Sequence, residues 1–154
     1  MTANDALIIG VGNEFRRDDS LGLQVAARIE ARNLPGVEVL THHGEGTGLM
    51  SLWRGRSLVV VIDAVSSGQD GGTLHVVNTR LEPIPAGWTL FSSHAFGLAE
   101  AVELSRDLDE LPPALWIVGL EGKDFSHGQE LSSEVAHALE SAVTKVIELV
   151  SPMA

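Results

Sequence analysis

Three side chains that could bind a metal ion stand where predicted elements begin or end. Asp19 follows the first predicted strand as part of the pair Asp18-Asp19, Asp63 ends the strongest apolar run of the chain, and His94 begins a predicted helix. Two carboxylates and one imidazole suit Zn²⁺, Ni²⁺ or Mn²⁺ and leave coordination positions open for another ligand. If the fold brings the three together, they can form one metal site.

Each of these residues also has a simpler structural role open to it. Asp18 or Asp19 could cap the first helix, because a carboxylate accepts hydrogen bonds from the first free N–H groups. His94 could be a surface or capping residue. A carboxylate at the end of a buried strand, such as Asp63, is harder to explain in this way, since burial of its charge is costly.

The elements that must position these residues follow from the hydrophobic pattern. Continuous apolar runs are typical of strands buried on both faces, and apolar residues three or four apart are typical of amphipathic helices. Predicted strands occupy 6–11, 37–40, 57–64, 73–77 and 114–120, and predicted helices occupy 21–32, 94–108 and 132–150, with a helical turn at 49–54. Segments 41–48 and 81–93 are predicted to be irregular. Strands that alternate with helices indicate an α/β protein with three layers.

One short connector predicts the direction of a strand. A parallel crossover needs roughly a dozen or more residues, and the segment 66–72 is shorter than that. The strand at 73–77 is therefore expected to be an antiparallel edge strand. The predicted fold is a single domain over 1–154, a three-layer α/β/α sandwich with a mixed, mostly parallel five-stranded sheet. In such sheets, ligands bind beyond the carboxyl ends of the parallel strands, and we expect Asp19, Asp63 and His94 to meet there.

Composition excludes several functions. The 154 residues include no cysteine, which excludes disulfide scaffolds, zinc ribbons, iron–sulfur sites and thiol nucleophiles. A formal net charge of −11 argues against nucleic acid or anionic membrane as a partner. The N-terminus lacks the basic region of a secretory signal, and the apolar stretch 6–11 is too short to span a membrane. We therefore expect a cytoplasmic protein.

Other sequence motifs are incomplete. Gly10-x-Gly12 begins like a dinucleotide-binding fingerprint, but position 15 is Phe15 where the third glycine is required. The chain contains neither a phosphate-binding P-loop nor the Gly-x-Ser-x-Gly elbow of serine hydrolases. These three classes of nucleotide and acyl chemistry are accordingly not expected.

The remaining histidines are expected to lie outside the site. Adjacent residues on a loop diverge, so His42 and His43 are predicted to be solvated. His75 alternates within its strand and is predicted to be exposed. His127 and His137 have no partner at the spacing of metal ligands.

One alternative reading is a receiver domain of two-component signalling. Such domains carry an acidic pair after the first strand, an aspartate after the third and a lysine after the fifth, which Asp18-Asp19, Asp63 and Lys123 imitate. In receiver domains the acidic pair directly follows the strand, whereas here the segment 10–17 intervenes. A second alternative is a metal-dependent hydrolase of small molecules that holds its own ion.

The order of the motifs resembles that of the hydrogenase maturation endopeptidases. The resemblance rests on four motifs. The first is Gly-Val-Gly-Asn at 10–13 followed by Asp-Asp-Ser-Leu-Gly at 18–22. The other three are Val-Ile-Asp-Ala-Val at 61–65, Ser-His-x-x-Gly-Leu at 93–98 and Val-Gly-Leu-Glu at 118–121. The first is specific; the others are weaker alone but occur in the expected order. The resemblance covers essentially the whole chain and implies a mixed five-stranded α/β/α sheet with one antiparallel edge strand.

The resemblance also implies an activity. Enzymes of this family remove a C-terminal extension from the large-subunit precursor of nickel–iron hydrogenase after metal insertion. By motif, their metal-binding residues correspond to Asp19, Asp63 and His94. The metal is expected to be nickel presented by the precursor, although another divalent ion such as Zn²⁺ could occupy the site, and the enzyme is expected to be a monomer.

Two departures from the family pattern stand out. Many relatives carry glutamate where this chain has Asp19, whose reach is one methylene shorter. Relatives often have an acidic residue in the loop after the second strand, and here only Glu45 could fill that role. The residue that activates water is left open by both the motifs and the resemblance.

Overall fold

A computed structural model describes residues 6–90 and 94–151 of the chain. Its strands are β1 (Ala6–Val11), β2 (Val37–His42), β3 (Leu58–Ser66), β4 (Leu74–Asn78), β5 (Thr89–Leu90) and β6 (Ala114–Glu121). Its helices are α1 (Leu21–Glu30), α2 (Gly46–Trp53), α3 (Leu98–Asp107) and α4 (Ser133–Val150), and a 3-10 turn (Arg17–Ser20) leads directly into α1.

The described strands form one mixed sheet. The order along it is β2-β1-β3-β6-β4, and the first four of these strands are parallel. β4 pairs antiparallel with β6 at the edge. β5 pairs antiparallel with the last two residues of β3, where Val65 faces Leu90 and Ser66 faces Thr89. The carboxyl ends of four parallel strands therefore share one rim.

Helices cover both faces of the sheet. Side chains alternate along each strand, so β1 directs Ile8 to one face and Ile9 to the other. One core joins the sheet to α1 and α4, and a second core joins it to α2 and α3. Burial on both faces explains why β1 and β3 are apolar at nearly every position.

Close backbone packing brings the 3-10 turn down onto the rim. A Cβ atom at Gly22 would lie 2.3 Å from the carbonyl oxygen of Val11 and 2.5 Å from that of Ile62, and one at Gly12 would lie 2.1 Å from the carbonyl oxygen of Asp19. Only glycine permits such an approach without a shift of the backbone. The start of α1 thus sits against the ends of β1 and β3.

The predicted three-layer architecture and the antiparallel edge strand are confirmed. The predicted number of five strands is wrong, because β5 forms within the segment 81–93, which was expected to be irregular and whose residues 91–93 lie outside the described ranges. Two helix starts also differ from the prediction. α3 begins at Leu98, which leaves His94 in the preceding loop, and α2 begins at Gly46 instead of near 49.

Candidate active site

A cleft of about 880 Å³ opens at the carboxyl ends of β1 and β2. The loop 12–16 after β1 forms one side, and residues 41–43 at the end of β2 form another. Thr89 and Leu90 of β5, together with Phe125 and His94, complete the lining. The cleft lies where the sequence predicted a site, beyond the carboxyl ends of parallel strands.

Asp19 lines this cleft from the 3-10 turn. Its side chain is only 5% exposed, and within the described residues Oδ1 has no hydrogen-bond partner. Burial raises the pKa of Asp19 to about 7, although the charge of Arg16 and the N–H of Asn13 partly oppose this rise. A buried carboxylate oxygen without a partner is costly, which is a mark of a functional position.

Asp63 lies near Asp19, in the buried part of β3. It is 2% exposed, and its Oδ1 accepts a hydrogen bond of 2.8 Å from the N–H of Ala64. Burial raises the pKa of Asp63 well above its usual range, and the neighbouring charge of Asp19 raises it further. A buried carboxyl whose ionisation is disfavoured by a second carboxylate beside it is a strong candidate for cation binding or acid–base chemistry.

His94 reaches the cleft from the loop before α3, as part of a group of three imidazoles. The ring of His43 meets the ring of His94 edge to face, with centroids 5.0 Å apart and planes inclined by 63°. His42 stacks on His43, with centroids 4.6 Å apart and planes within 16°. All three rings line the same cleft as Asp19.

The prediction that His42 and His43 diverge and lie away from the cleft is therefore wrong, although His43 is exposed on a loop as expected. His42 is the last residue of β2 and is half-buried, while His43 is exposed at the cleft. The two rings do not diverge, because the chain leaves the strand between them. The pair of adjacent histidines after an apolar strand was the available signal.

Asp19 and His94 meet in one cleft, with Asp63 beside Asp19. In residues 6–90 and 94–151, no three His, Asp or Glu side chains are arranged so that they could hold one metal ion. Shared coordination by Asp19, Asp63 and His94 stays a prediction that requires their side chains to turn.

Asp18 has a structural role. Its carboxylate accepts hydrogen bonds of 2.7–2.8 Å from the N–H groups of Lys123, Asp124 and Ser132 and from the Ser132 hydroxyl. The Lys123 ammonium pairs with Glu134. The acidic pair is thus divided, with Asp18 holding the loop between β6 and α4 and Asp19 lining the cleft. These contacts give no support to the receiver-domain alternative.

Glu45, the acidic residue expected to act after the second strand, caps α2. Its carboxylate accepts hydrogen bonds from the Thr47 hydroxyl and from the N–H groups of Thr47 and Gly48. These bonds, led by that from the Thr47 hydroxyl, lower the pKa of Glu45 to about 2. Both oxygens are engaged in capping, which explains why α2 begins earlier than predicted.

The expectation that His75 is exposed is also wrong. Its side chain is 20% exposed, and Nε2 lies 3.0 Å from Oε1 of the buried Glu121. The Glu121 carboxylate also accepts hydrogen bonds from the N–H and hydroxyl of Ser67, which ties the ends of β3, β4 and β6 together. His127 and His137 are exposed, away from the cleft lining.

Comparisons with known proteins agree with this architecture. A family model described as hydrogenase maturation protease matches residues 23–149. The chain is 30% identical over 145 residues to the hydrogenase 2 maturation protease of Escherichia coli K12. The alignment covers 92% of this chain and 87% of that protein.

Solved structures give the same result. The [NiFe] hydrogenase maturation protease HybD from Thermococcus kodakarensis superposes with a TM-score of 0.72 at 28% identity, covering 94% of this chain and 97% of that one. The hydrogenase maturating endopeptidase HybD from Escherichia coli has a TM-score of 0.77 at 22% identity, covering 97% and 93%, and at that identity shows the fold alone.

The fold and these comparisons define an α/β endopeptidase with a cleft at the carboxyl rim of a mixed sheet. The chain belongs to the hydrogenase maturation protease family, so the resemblance drawn from its motifs is confirmed. None of the helices in the described residues combines the length and apolar character needed to cross a bilayer.

Proposed function

We propose that this endopeptidase removes a C-terminal extension from the nickel-loaded large-subunit precursor of a nickel–iron hydrogenase. Asp19, Asp63 and His94 are the residues that recognise the metal of the precursor. The observation that carries the proposal is Asp19 Oδ1, a buried carboxylate oxygen that lacks a hydrogen-bond partner within the described residues. Asp19 adjoins a second buried carboxyl and lines the same cleft as His94.

The donor set fits nickel. Carboxylate oxygen and imidazole nitrogen are both ligands for Ni²⁺ and Zn²⁺, so either ion could be held by these side chains. Burial makes the charged form of each carboxylate costly, and a bound cation would offset that cost. We treat nickel as part of the substrate, because the carboxylates line or adjoin a cleft that is open to another protein chain.

The cleft also offers a surface for the peptide. Phe15, Leu23, Leu90 and Phe125 supply apolar contacts, and the ring of Phe15 is 56% exposed at the rim. The histidines at the end of β2 supply polar contacts on the other side. A peptide anchored at the carboxylates and packed along these side chains would lose much of its freedom before the reaction, which lowers the barrier to cleavage.

Anchoring by the metal explains how an unfinished precursor would be rejected. Without a cation, the two carboxyl groups offer no metal anchor: protonated, they can only form hydrogen bonds, and ionised, they repel acidic groups of a peptide. With a cation, Asp19, Asp63 and His94 hold the segment that follows the metal site in one orientation. Cleavage therefore depends on the metal even though all the peptide contacts are present without it.

The direct test is cleavage of a nickel-loaded precursor, followed by mass spectrometry. Asp63→Asn keeps the size of the side chain but cannot ionise to a carboxylate, whereas Asp19→Ala and His94→Ala remove one donor each. We expect each variant to lose most of its cleavage while retaining the circular dichroism spectrum of the unaltered protein. His137→Ala changes an exposed imidazole on α4, away from the cleft, and should cleave normally.

Two results would contradict the proposal. One is near-normal cleavage by Asp63→Asn. The other is equal cleavage of metal-free and nickel-loaded precursor by the unaltered protein, which would remove the metal from the recognition step while leaving the family assignment untouched.

A further inference from the structure

We propose that His43 is a second imidazole ligand, which binds the metal of the precursor together with His94 at the mouth of the cleft. This inference rests on the proposed function, because it concerns the same cleft and the same metal. It adds a residue that neither the motifs nor the expected Asp19, Asp63 and His94 set includes.

The separation of the two rings fits a shared ion. A metal–nitrogen bond of about 2.1 Å places the ion about 3.2 Å from the centroid of an imidazole ring. Two such rings then have centroids about 4.5 Å apart at a right-angle geometry and about 5.2 Å apart at a tetrahedral one. The rings of His43 and His94 are 5.0 Å apart, which lies within this interval, and they are not stacked face to face. Because the pair is edge to face, a shared ion requires the two side chains to turn so that a nitrogen of each ring points at it.

His42 holds the ring of His43 in place by stacking against it. Its Nδ1 accepts a hydrogen bond of 2.9 Å from the N–H of Gly44. Its Nε2 packs against α2, since a Cβ atom at Gly48 would lie only 2.6 Å from it. The Nδ1 atom is thus engaged, and the face of the ring stacks on His43. His42 is a positioning residue, and His43, which is exposed at the cleft, is the member of the pair proposed as a ligand.

The exposure of the side chains is consistent with binding of the metal by the imidazoles before the carboxylates. His43 is exposed, His94 is half-buried and Asp19 is almost completely buried. A metal ion carried by another protein would reach the imidazoles first and the carboxylates after them. Two imidazole nitrogen donors at the mouth can capture a borderline metal such as Ni²⁺ before Asp19 and Asp63 are engaged.

The test uses Ni²⁺ alone and the full chain, so that it does not depend on cleavage. Isothermal titration calorimetry measures Ni²⁺ affinity, and absorption of the Co²⁺-loaded protein reports the ligands. We expect His43→Ala and His43→Gln to weaken Ni²⁺ binding at least about tenfold and to shift the Co²⁺ spectrum, as His94→Ala does. The matched control is His137→Ala, which removes an exposed imidazole elsewhere and should leave both readouts unchanged.

The outcomes separate this inference from the proposed function. If His43→Ala binds Ni²⁺ as the unaltered protein does while His94→Ala does not, His43 is not a ligand and the proposed function stands. Failure of the unaltered protein to bind Ni²⁺ at millimolar concentration also overturns the inference. If Ni²⁺ binding depends on His43 but the unaltered protein leaves a nickel-loaded precursor intact, the inference stands and the proposed function fails.

Discussion

The buried carboxyl of Asp19 should make the metal-free protein less stable as the pH rises. Its pKa is about 7 in the folded protein against 3.8 for the free side chain, because burial disfavours the charged form. The folded state therefore holds the proton more tightly than the unfolded chain does. Unfolding releases that proton, so the free energy of unfolding falls as the pH rises from about 4 to about 7 and is constant above.

The size of the effect follows from the two pKa values. A difference of about three units corresponds to about 4 kcal/mol once the carboxyl is ionised in both states. Between pH 5 and pH 8 the change due to Asp19 is about 2.5 kcal/mol. Asp19→Asn keeps the shape of the side chain and cannot ionise. We therefore expect this variant to lose less stability over the same interval, by about 2–3 kcal/mol.

Urea unfolding at pH 5 and pH 8, with a chelator present and circular dichroism as the signal, measures this difference. Asp107→Asn is the matched control, because it removes one negative charge from an exposed position on α3 in a chain of net charge −11. Asp63 still titrates in Asp19→Asn, so some dependence on pH remains. Equal changes in the free energy of unfolding for the unaltered protein and Asp19→Asn would refute the argument that Asp19 is buried at a cost.

Three further substitutions and one ligand test follow from the contacts. Asp18→Asn should lower the free energy of unfolding by about 2–4 kcal/mol, because a charged acceptor for three N–H groups is lost; urea unfolding measures it. Gly22→Ala should cost about 1–3 kcal/mol despite the better helix propensity of alanine, since its Cβ meets two backbone carbonyls; thermal unfolding checks it. Gly48→Ala should displace the His42 ring and weaken Ni²⁺ binding in calorimetry, while stability changes by less than about 1 kcal/mol because helix α2 gains propensity. Added Ni²⁺ should raise the melting temperature more at pH 8 than at pH 5, because protons compete for the same carboxylates and imidazoles; a constant increment would argue against them as ligands.

The layers of the fold could be predicted because burial on both faces leaves a simple pattern. β3 is apolar along almost its whole length, and only a strand covered by helices on both sides tolerates that composition. The short connector before β4 was enough to predict its antiparallel direction. β5 could not be predicted, because a strand of two residues is too short to show an alternation of apolar and polar side chains. It pairs with β3 only where the end of β3 extends past β1.

The acidic part of the site could be predicted for a topological reason. Residues that follow parallel strands must meet at one rim, whatever the details of the helices between them. The separate roles of Asp18, which binds a loop, and Asp19, which lines the cleft, could not be predicted in the same way. It depends on the loop between β6 and α4, whose N–H groups come from more than a hundred positions away in the chain and close around Asp18.

The imidazole part of the site depends on one residue that breaks a strand. On a continuing strand, His42 and His43 would point to opposite faces of the sheet, as adjacent side chains do. Here β2 ends at His42, and Gly44 adopts a φ of 101°, which glycine favours because it has no Cβ. The turn brings the N–H of Gly44 back to Nδ1 of His42 and lets the His43 ring fold onto the His42 ring. In this chain, the end of the strand at His42 and the turn at Gly44 are therefore what place two stacked rings at the rim.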